Sequence, residues 1–270
     1  MLSMLHKALF GKHLAGHQAG NKGDFVDVGD ALVVATYPRS GTTWMIRTLQ
    51  DLYAPTQEAE INSGLLKKGR FELSGGAYLA FRDDPCECFS IIKTHMRWKE
   101  FFDTKIPCKT VYVYRNVADV MLSYYFYTQH WIWGRSAEDV RFDAEEFMEF
   151  LEGHVVEWVE HVRSWVLNPE VLESGRVFFV KYEEMKNEFA RTLSNVAAFV
   201  GRHRSTTIVS CRESVCSSQV FGNTNASFFR KGVCGDWKNY FSKHHGDFID
   251  RTAGGVMGEL GYPLCGSVLW

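Results

Sequence analysis

The chain has 270 residues, of which 46% are hydrophobic, and its formal net charge is -2. A chain of this length and composition forms a full hydrophobic core, and its near-neutral charge argues against a nucleic-acid partner, which would require a basic excess. The seven cysteines, an odd number at irregular spacing, indicate a reducing compartment rather than a disulfide framework. Cys86 and Cys88 have no second Cys or His pair at metal spacing, so no zinc site is predicted.

Residues 1–23 are predicted to form a flexible or loosely docked N-terminal arm with no assigned function, preceding one domain over residues 24–270. No apolar run in the chain is long enough for a secretory signal or a membrane span. The sequence therefore predicts a cytoplasmic protein.

The most informative stretch runs from Thr36 to Trp44. An apolar run of strand type, Ala31 to Ala35, leads into it, and a helical pattern that includes Met45 and Leu49 leaves it. A helix start leaves several backbone N–H groups without intrahelical acceptors and carries a partial positive charge, so such a turn favours an anion. Its candidate contacts are a cation, a glycine that lets the backbone approach a ligand, hydroxyl donors and an aromatic residue: Arg39, Ser40, Gly41, Thr42, Thr43 and Trp44. An ordinary strand-to-helix turn with hydroxyl caps is the simpler interpretation of this stretch alone.

This stretch is not a Walker A loop. That loop ends in Gly-Lys-Ser/Thr, whereas Gly41 is followed by Thr42 and the cation precedes the glycine. A nucleoside triphosphatase is therefore disfavoured, although the physics of phosphate binding still applies to another anionic nucleotide.

Two further apolar runs of strand type end in polar side chains. Phe89 to Lys93 is followed by Thr94 and His95, and Thr110 to Tyr114 is followed by Arg115. Parallel strands present their carboxyl ends at one sheet edge, so these side chains are predicted to lie at the edge of the first turn. His95 is a candidate base there, although a lone histidine is often structural.

The helix after the Thr110 strand is predicted from Val117 to Tyr127, with Asn116 as its N-cap and Asp119 in a box-like arrangement. Ser123 lies two turns along, so Arg115 and Ser123 are positioned to meet one phosphate. Pairing of Arg115 with a surface acid is the alternative. Most of the aromatic cluster that follows is predicted to be core, with one or two members lining an apolar acceptor pocket: Tyr124, Tyr125, Phe126, Tyr127, Trp131 and Trp133.

The remaining patterns alternate between strand and helix, which predicts a parallel sheet. They are a loop region with a short helix from Pro55 to Asp84, helices over Asp143–Glu152 and His154–Leu167 broken near Gly153, a strand over Val177–Val180, a helix over Glu184–Val200 closed by Gly201, loop from Ser205 to Ser227, and Gly-rich turns from Gly254 onward. The stretch from Arg230 to Lys238 begins with two adjacent cations before Gly232 and also contains Gly235, so it is either an anion-binding turn or a solvated basic turn.

Taken together, these segments resemble the cytosolic sulfotransferases. The matching segments, which occur in the family's order, are the Thr36–Trp44 turn, Lys93–Thr94–His95, Arg115–Asn116 to Ser123, Tyr182–Glu183–Glu184–Met185, and Arg230–Lys231–Gly232 to Asp236–Trp237–Lys238. The resemblance implies a single α/β domain with a central parallel sheet flanked by helices and a P-loop-like phosphosulfate-binding loop.

The resemblance also implies a reaction. The sulfuryl group of 3′-phosphoadenosine 5′-phosphosulfate (PAPS) would pass to a hydroxyl or amine of a small acceptor, leaving adenosine 3′,5′-bisphosphate (PAP), with no metal. Arg39 to Trp44 would hold the 5′-phosphosulfate with Trp44 near the adenine, and Tyr182 would contact the adenine side. His95 would be the base, with Lys93 and Arg39 stabilising the leaving group. The 3′-phosphate would be held by Arg115, Ser123, Arg230, Lys231 and Gly232, with Ser217 as a weaker match.

The chain departs from the family pattern at several positions. Arg39 replaces the usual lysine and cannot donate its proton at ordinary pH, so its predicted role is electrostatic. Met96–Arg97 replaces Leu-Pro after the histidine, and the family's dimer signature is poorly matched, which leaves dimerisation open. A small-molecule kinase and a non-enzymatic nucleotide-binding protein remain the alternatives.

Overall fold

The computed structural model describes residues 31–53, 91–101, 108–202 and 232–268 with their side chains. It describes the backbone alone of Ser90, Leu269 and the strands at 18–19, 25–27, 57–60, 64–67, 70–73 and 78–81. The chain divides into two compact units. The first comprises residues 1–114 and 164–215, and the second comprises residues 115–163 and 216–270.

All of the described strands belong to the first unit. They are β1 (Gln18–Ala19), β2 (Phe25–Asp27), β3 (Ala31–Thr36), β4 (Gln57–Glu60), β5 (Gly64–Lys67), β6 (Arg70–Leu73), β7 (Tyr78–Phe81), β8 (Ser90–Thr94), β9 (Lys109–Tyr114) and β10 (Val177–Lys181). A seven-stranded sheet has the order β1-β7-β4-β8-β3-β9-β10, and β2, β6 and β5 form a second sheet. Within the larger sheet, the neighbouring pairs from β4 to β10 are parallel, and β7 runs antiparallel to both β4 and β1.

The helices begin and end as follows: α1 (Thr42–Tyr53), α2 (Trp98–Phe101), α3 (Val117–Trp131), α4 (Ala144–Val166), α5 (Pro169–Glu173), α6 (Tyr182–Asn187), α7 (Phe189–Val200), a 3₁₀ turn (Asp236–Asn239), α8 (Lys243–Glu259) and α9 (Gly266–Leu269). The α/β class with a central parallel sheet is thus confirmed. Among the described residues, no helix is long and apolar enough to cross a membrane.

Strand β3, which leads into the Thr36–Trp44 turn, lies in the core of the first unit. Every residue of β3 is buried, and it lies between β8 and β9 in the sheet. Its alternate residues Ala31, Val33 and Ala35 pack in one core cluster with Trp98 and Trp165. A strand covered on both faces reads as a continuous apolar run, which is why this element is visible in the sequence.

Several predicted elements are wrong. The stretch from Pro55 to Asp84 holds four strands rather than a loop with a short helix, and α4 runs unbroken through Gly153. The predicted Glu184–Val200 helix is interrupted at Glu188, which has φ -137° and separates α6 from α7. Gly254 lies inside α8 rather than in a turn. The Ser205–Ser227 loop and most of the predicted arm lie outside the described residues, so the boundary at residue 24 stays a prediction.

Candidate active site

The Thr36–Trp44 turn connects β3 to α1 in the first unit. The N–H of Ser40 donates to the carbonyl of Tyr37 (3.2 Å), and the N–H of Met45 donates to the carbonyl of Gly41 (3.1 Å) in the first bond of the helix. Arg39 and Gly41 both have positive φ angles, 68° and 107°. Positive φ is strained for arginine, and such strain concentrates at functional sites.

The turn has the donors that an anion requires. Because the first N–H groups of a helix have no intrahelical acceptor, the amides of Thr42, Thr43 and Trp44 are available to a ligand at the positive end of α1. The hydroxyl oxygen of Ser40 is buried and has no hydrogen-bond partner among the described residues. A buried polar atom without a partner is costly, and a ligand oxygen would satisfy it. This observation supports an anionic ligand at the turn.

His95 directly follows β8 and is buried. Its Nδ1 lies 2.8 Å from the carbonyl oxygen of Thr36. Since a carbonyl oxygen only accepts, Nδ1 carries the proton, and in the neutral ring Nε2 carries the lone pair. The strand end therefore fixes the tautomer that leaves Nε2 able to accept a proton.

Thr36 contacts both His95 and the start of α1. Its Oγ1 lies 3.2 Å from Nδ1 of His95 and 2.6 Å from Oγ1 of Thr42. Thr36 and Thr42 are both buried. The candidate base and the Thr36–Trp44 turn are thus joined through one residue, a link that the sequence interpretation missed.

Lys93 lies within β8, opposite Val34 of β3 and Glu60 of β4 in the register. Side chains alternate along a strand, so Lys93 projects from the face opposite that of Ile92, which belongs to the core cluster. Lys93 is half-buried. Lys93 is the second-last residue of β8 and so lies near the carboxyl end of that strand, as predicted.

Tyr182, the first residue of α6, packs against the turn. A Cβ atom built on Gly41 would lie 2.6 Å from Cδ2 of Tyr182. The ring of Trp44 meets that of Tyr182 edge-on, at 5.5 Å between centroids, and stacks on Phe189 at 5.8 Å. Trp44 is buried, and Lys186 Nζ lies 5.7 Å from its ring centroid. Trp44 thus packs the turn against α6 and α7, a structural role that the sequence did not predict.

In the second unit, Arg115 and Asp119 anchor the segment that follows Gly232. A terminal nitrogen of buried Arg115 donates to the carbonyl of Val233 (2.9 Å) and lies 4.0 Å from Oδ2 of Asp119. The carboxylate of Asp119 accepts from the N–H of Gly235 (2.7 Å) and from that of Trp237 (3.5 Å). Asn116 is the N-cap of α3, as predicted, and its side chain accepts from the N–H of Ala118, whereas the carboxylate of Asp119 binds the later loop.

Ser123 is buried on α3, one turn after Asp119. Gly232 is half-buried, with φ 62°. Arg230, Lys231 and Ser217 lie outside the described residues, so their assignments stay predictions.

Three of the six residues in the predicted aromatic cluster are core, rather than most of them. Tyr124, Tyr125 and Tyr127 are buried, whereas Trp133 is 44% exposed. The hydroxyl of Tyr125 donates to Oε1 of Glu146 (2.5 Å), and burial together with that carboxylate raises the pKa of Tyr125. Arg135 forms an ion pair with Glu146 and lowers the pKa of the Glu146 carboxyl group. This network ties α4 to the loop after α3. No metal-binding group of three or more His, Cys, Asp or Glu occurs in the described part of the chain.

The chain matches proteins of known class over most of its length. Residues 29–261 match the sulfotransferase domain. The chain is 31% identical over 242 residues to sulfotransferase 1E1 of Rattus norvegicus and 28% identical to that of Mus musculus, and each match covers 78% of this chain and 78% of the relative. A mouse sulfotransferase, SULT7A1 complexed with PAP, has a TM-score of 0.62 at 22% identity, covering 86% of each chain. Retinol dehydratase in a complex with retinol and PAP has a TM-score of 0.59 at 15% identity, covering 85% of this chain and 81% of that one.

Proposed function

The chain belongs to the sulfotransferase family, and we propose that it transfers the sulfuryl group of PAPS to a hydroxyl or amine of a small, apolar or aromatic acceptor. PAP is the second product. This choice of donor and acceptor class is supported by mouse SULT7A1, which is complexed with PAP, and by retinol dehydratase, which is in a complex with retinol and PAP. We infer that the reaction takes place in the cytoplasm.

The observation that carries the proposal is the tautomer of His95, in which Nδ1 holds the proton. Its Nδ1–H is held by the Thr36 carbonyl, so Nε2 keeps the lone pair that a general base needs. Thr36 also bonds Thr42, the first residue of the helix whose N-terminus attracts an anion. A purely nucleotide-binding protein has no need of this arrangement.

The reaction is an in-line displacement. Nε2 of His95 takes the proton of the acceptor while the acceptor oxygen or nitrogen bonds to sulfur, and the bond from sulfur to the 5′-phosphate oxygen breaks. Negative charge builds on that leaving oxygen, where fixed cations and amide dipoles lower the barrier most. Arg39 and Lys93 supply the cations in the proposal, and the N-terminus of α1 supplies the dipoles.

The residues of the turn fit the phosphosulfate group. The α1 amides and the partnerless Ser40 hydroxyl are donors for its oxygens. We also assign the hydroxyl of Thr43 as a donor to the phosphosulfate group, and Tyr182 as a contact on the adenine side. The assignment of Arg115, Ser123, Arg230, Lys231 and Gly232 to the 3′-phosphate stays a prediction.

The test is transfer from labelled PAPS across a panel of phenols, aliphatic alcohols and amines, with wild-type protein and His95→Gln. Glutamine is close in length and its amide can donate to the Thr36 carbonyl, but it has no basic nitrogen. We expect transfer to fall by about 100-fold or more, in the range of lost general-base catalysis, with PAP affinity within about twofold of wild type.

Lys99→Gln, on an exposed side chain of the same unit, is the control and should behave as wild type. Comparable loss of transfer and PAP binding in His95→Gln would remove His95 from the role of base. Turnover of Mg²⁺-ATP in place of PAPS would favour a kinase, and PAP binding without sulfated product would favour a binding protein.

A further inference from the structure

Three buried side chains form a continuous hydrogen-bonded line in the first unit: His95, Thr36 and Thr42. The two distances along it are 3.2 Å from Nδ1 of His95 to Oγ1 of Thr36 and 2.6 Å from there to Oγ1 of Thr42. Thr36 is fully buried at 0% exposure, so its hydroxyl has no contact with bulk water.

The direction of this line follows from the donor and acceptor inventory. Nδ1 of His95 carries a proton because it faces the Thr36 carbonyl at 2.8 Å, so Thr36 Oγ1 acts as a second acceptor of that shared proton. The Thr36 hydroxyl proton is then directed to Thr42 Oγ1, the neighbour at 2.6 Å. The Thr42 hydroxyl proton is left for an acceptor at the start of α1, where the proposed function puts an anion.

We propose that Thr36 is a positioning residue that couples the anion-binding turn to the base. This inference rests on the proposed function for the identity of the anion, the phosphosulfate group of the donor. An anionic oxygen that accepts from Thr42 polarises the line of hydroxyls, because hydrogen bonds in series strengthen one another. The His95 Nδ1–H bond is strengthened in turn, so donor binding orients His95 and increases electron density at Nε2.

Because of this coupling, we expect His95 to be fully oriented only after the donor has bound. The carbonyl and the hydroxyl of Thr36 both face Nδ1 of His95 in the structure, and an anion that accepts from Thr42 strengthens the bond to the hydroxyl. Thr36 touches neither the transferred group nor the acceptor in this proposal. Its substitution is therefore expected to affect kcat more than the affinity for the donor.

The spectroscopic test reads His95 directly. Two-dimensional ¹H–¹⁵N spectra of the histidine side chains, assigned with His95→Gln, report which ring nitrogen is protonated. We expect the Nδ1–H tautomer in the free wild-type protein and a shift of both ring nitrogens on saturation with PAP. In Thr36→Val, which keeps the shape but loses the hydroxyl, the shift should disappear. In Thr36→Ser it should be retained.

The kinetic test separates kcat from KM. One lost hydrogen bond corresponds to roughly a two- to twelvefold fall in kcat for Thr36→Val, with KM for PAPS within about twofold and with rescue by Thr36→Ser. Thr110→Val is the matched control. Thr110 is a buried threonine at the N-terminal end of β9, and its hydroxyl has no hydrogen-bond partner among the described residues. It should match wild type in both measurements.

An Nε2–H tautomer in the free protein, or the same PAP-induced shift in Thr36→Val as in wild type, would overturn the coupling. Should Thr36→Val fail to fold, Thr42→Val breaks the line at its second link and is scored by the same shift at saturating PAP. The proposed function fails separately, when wild-type protein neither binds PAP nor transfers sulfate. The tautomer of the free protein is measurable in either case.

Discussion

Gly41 and Tyr182 lie so close that a Cβ atom on the glycine would be 2.6 Å from the tyrosine ring. The contact joins the Thr36–Trp44 turn to the start of α6, two elements that are far apart in sequence. It makes glycine a requirement of packing at this position, in addition to the positive φ of 107°. Packing against Tyr182 therefore constrains the shape of the turn in addition to the turn's own residues.

The first prediction concerns Gly41→Ala. Both strain at positive φ and overpacking against Tyr182 oppose the new methyl group, and overpacking alone costs about 1–3 kcal/mol. We expect a lower melting temperature and at least tenfold weaker PAP binding by calorimetry, because the turn must move. Gly175→Ala is the control, since that glycine also has positive φ but has open space around it. Equal effects of the two substitutions on PAP affinity would show that the tyrosine contact is irrelevant.

The second prediction separates the charge of Arg39 from its backbone strain. Arg39→Ala and Arg39→Gly both remove the cation, so both should lose transfer from PAPS. Only glycine adopts φ 68° without strain, so Arg39→Gly should be more stable to urea than Arg39→Ala by roughly 1 kcal/mol. If the two variants unfold at the same urea concentration, the positive φ is not a source of strain in this turn.

The sequence predicted the parts of the site that depend on local signals. A continuous apolar run marks β3, and a glycine with neighbouring hydroxyls marks the turn and the start of α1. The positions of His95 and Arg115 followed from the rule that parallel strands end at one edge, and the register of β3 with β8 places Thr94 beside Ala35. Because the family motifs are built from these same segments, the sulfotransferase class was also predicted correctly.

Elements that depend on distant partners were not predicted. Strand β4 has the sequence Gln-Glu-Ala-Glu, with no apolar alternation, and is ordered by pairing with β8 and β7. Gly153 suggested a break, yet α4 continues because residues on one face are buried: Phe147, Leu151, Trp158, Val162 and Trp165. The cost of glycine in a helix, about 1 kcal/mol, is smaller than the gain from that burial. Likewise, nothing local to Asp119 signals its bonds to Gly235 and Trp237.

The third prediction tests the assignment of Arg115. If it binds the 3′-phosphate, Arg115→Ala should weaken PAP binding by about 10- to 100-fold, the range for a hydrogen bond to a charged group, and should leave adenosine 5′-phosphate almost unaffected. Arg141→Ala removes an exposed cation of the same unit and controls for net charge. Equal weakening of both nucleotides by Arg115→Ala would show that Arg115 does not distinguish the 3′-phosphate.

The fourth prediction concerns Asp119, which holds the loop after Gly232. In Asp119→Asn an amide nitrogen can face the N–H of Gly235, so one bond is lost and the unfolding free energy should fall by about 1–3 kcal/mol. The ratio of PAP to adenosine 5′-phosphate affinity should also fall, because Arg115 and the loop that it bonds lose the carboxylate that positions them.

Asp250→Asn provides the matched control for Asp119. That carboxylate also accepts two backbone N–H groups, from Cys265 (2.7 Å) and Gly266 (2.8 Å). Its loss should destabilise the protein to urea by a similar amount and leave the affinity ratio unchanged. A changed ratio in both variants would mean that the effect reflects general loosening of the second unit.

The last prediction concerns pH and His245, the third residue of α8. Its Nε2–H donates to the carbonyl of Ala144 (2.9 Å), and its Nδ1 accepts from the N–H of Ser242 (3.0 Å), so the neutral ring is fully bonded. Burial lowers its pKa below the ordinary 6.5, and nearby His244 adds to that effect. Protonation would also turn Nδ1 into a donor facing the Ser242 donor. The unfolded chain therefore binds a proton more readily than the folded chain. The free energy of unfolding is at its full value above pH 6.5 and falls as the pH decreases toward the lowered pKa of the folded state.

The measurement is the free energy of unfolding in urea at a series of pH values between 7.5 and 5. Its slope against pH should be smaller for His245→Gln, because glutamine at this position keeps the capping box with Ser242 and does not titrate. His244→Gln, at the exposed neighbouring position, should keep most of the wild-type slope, and an equal reduction in both variants would contradict the assignment to His245.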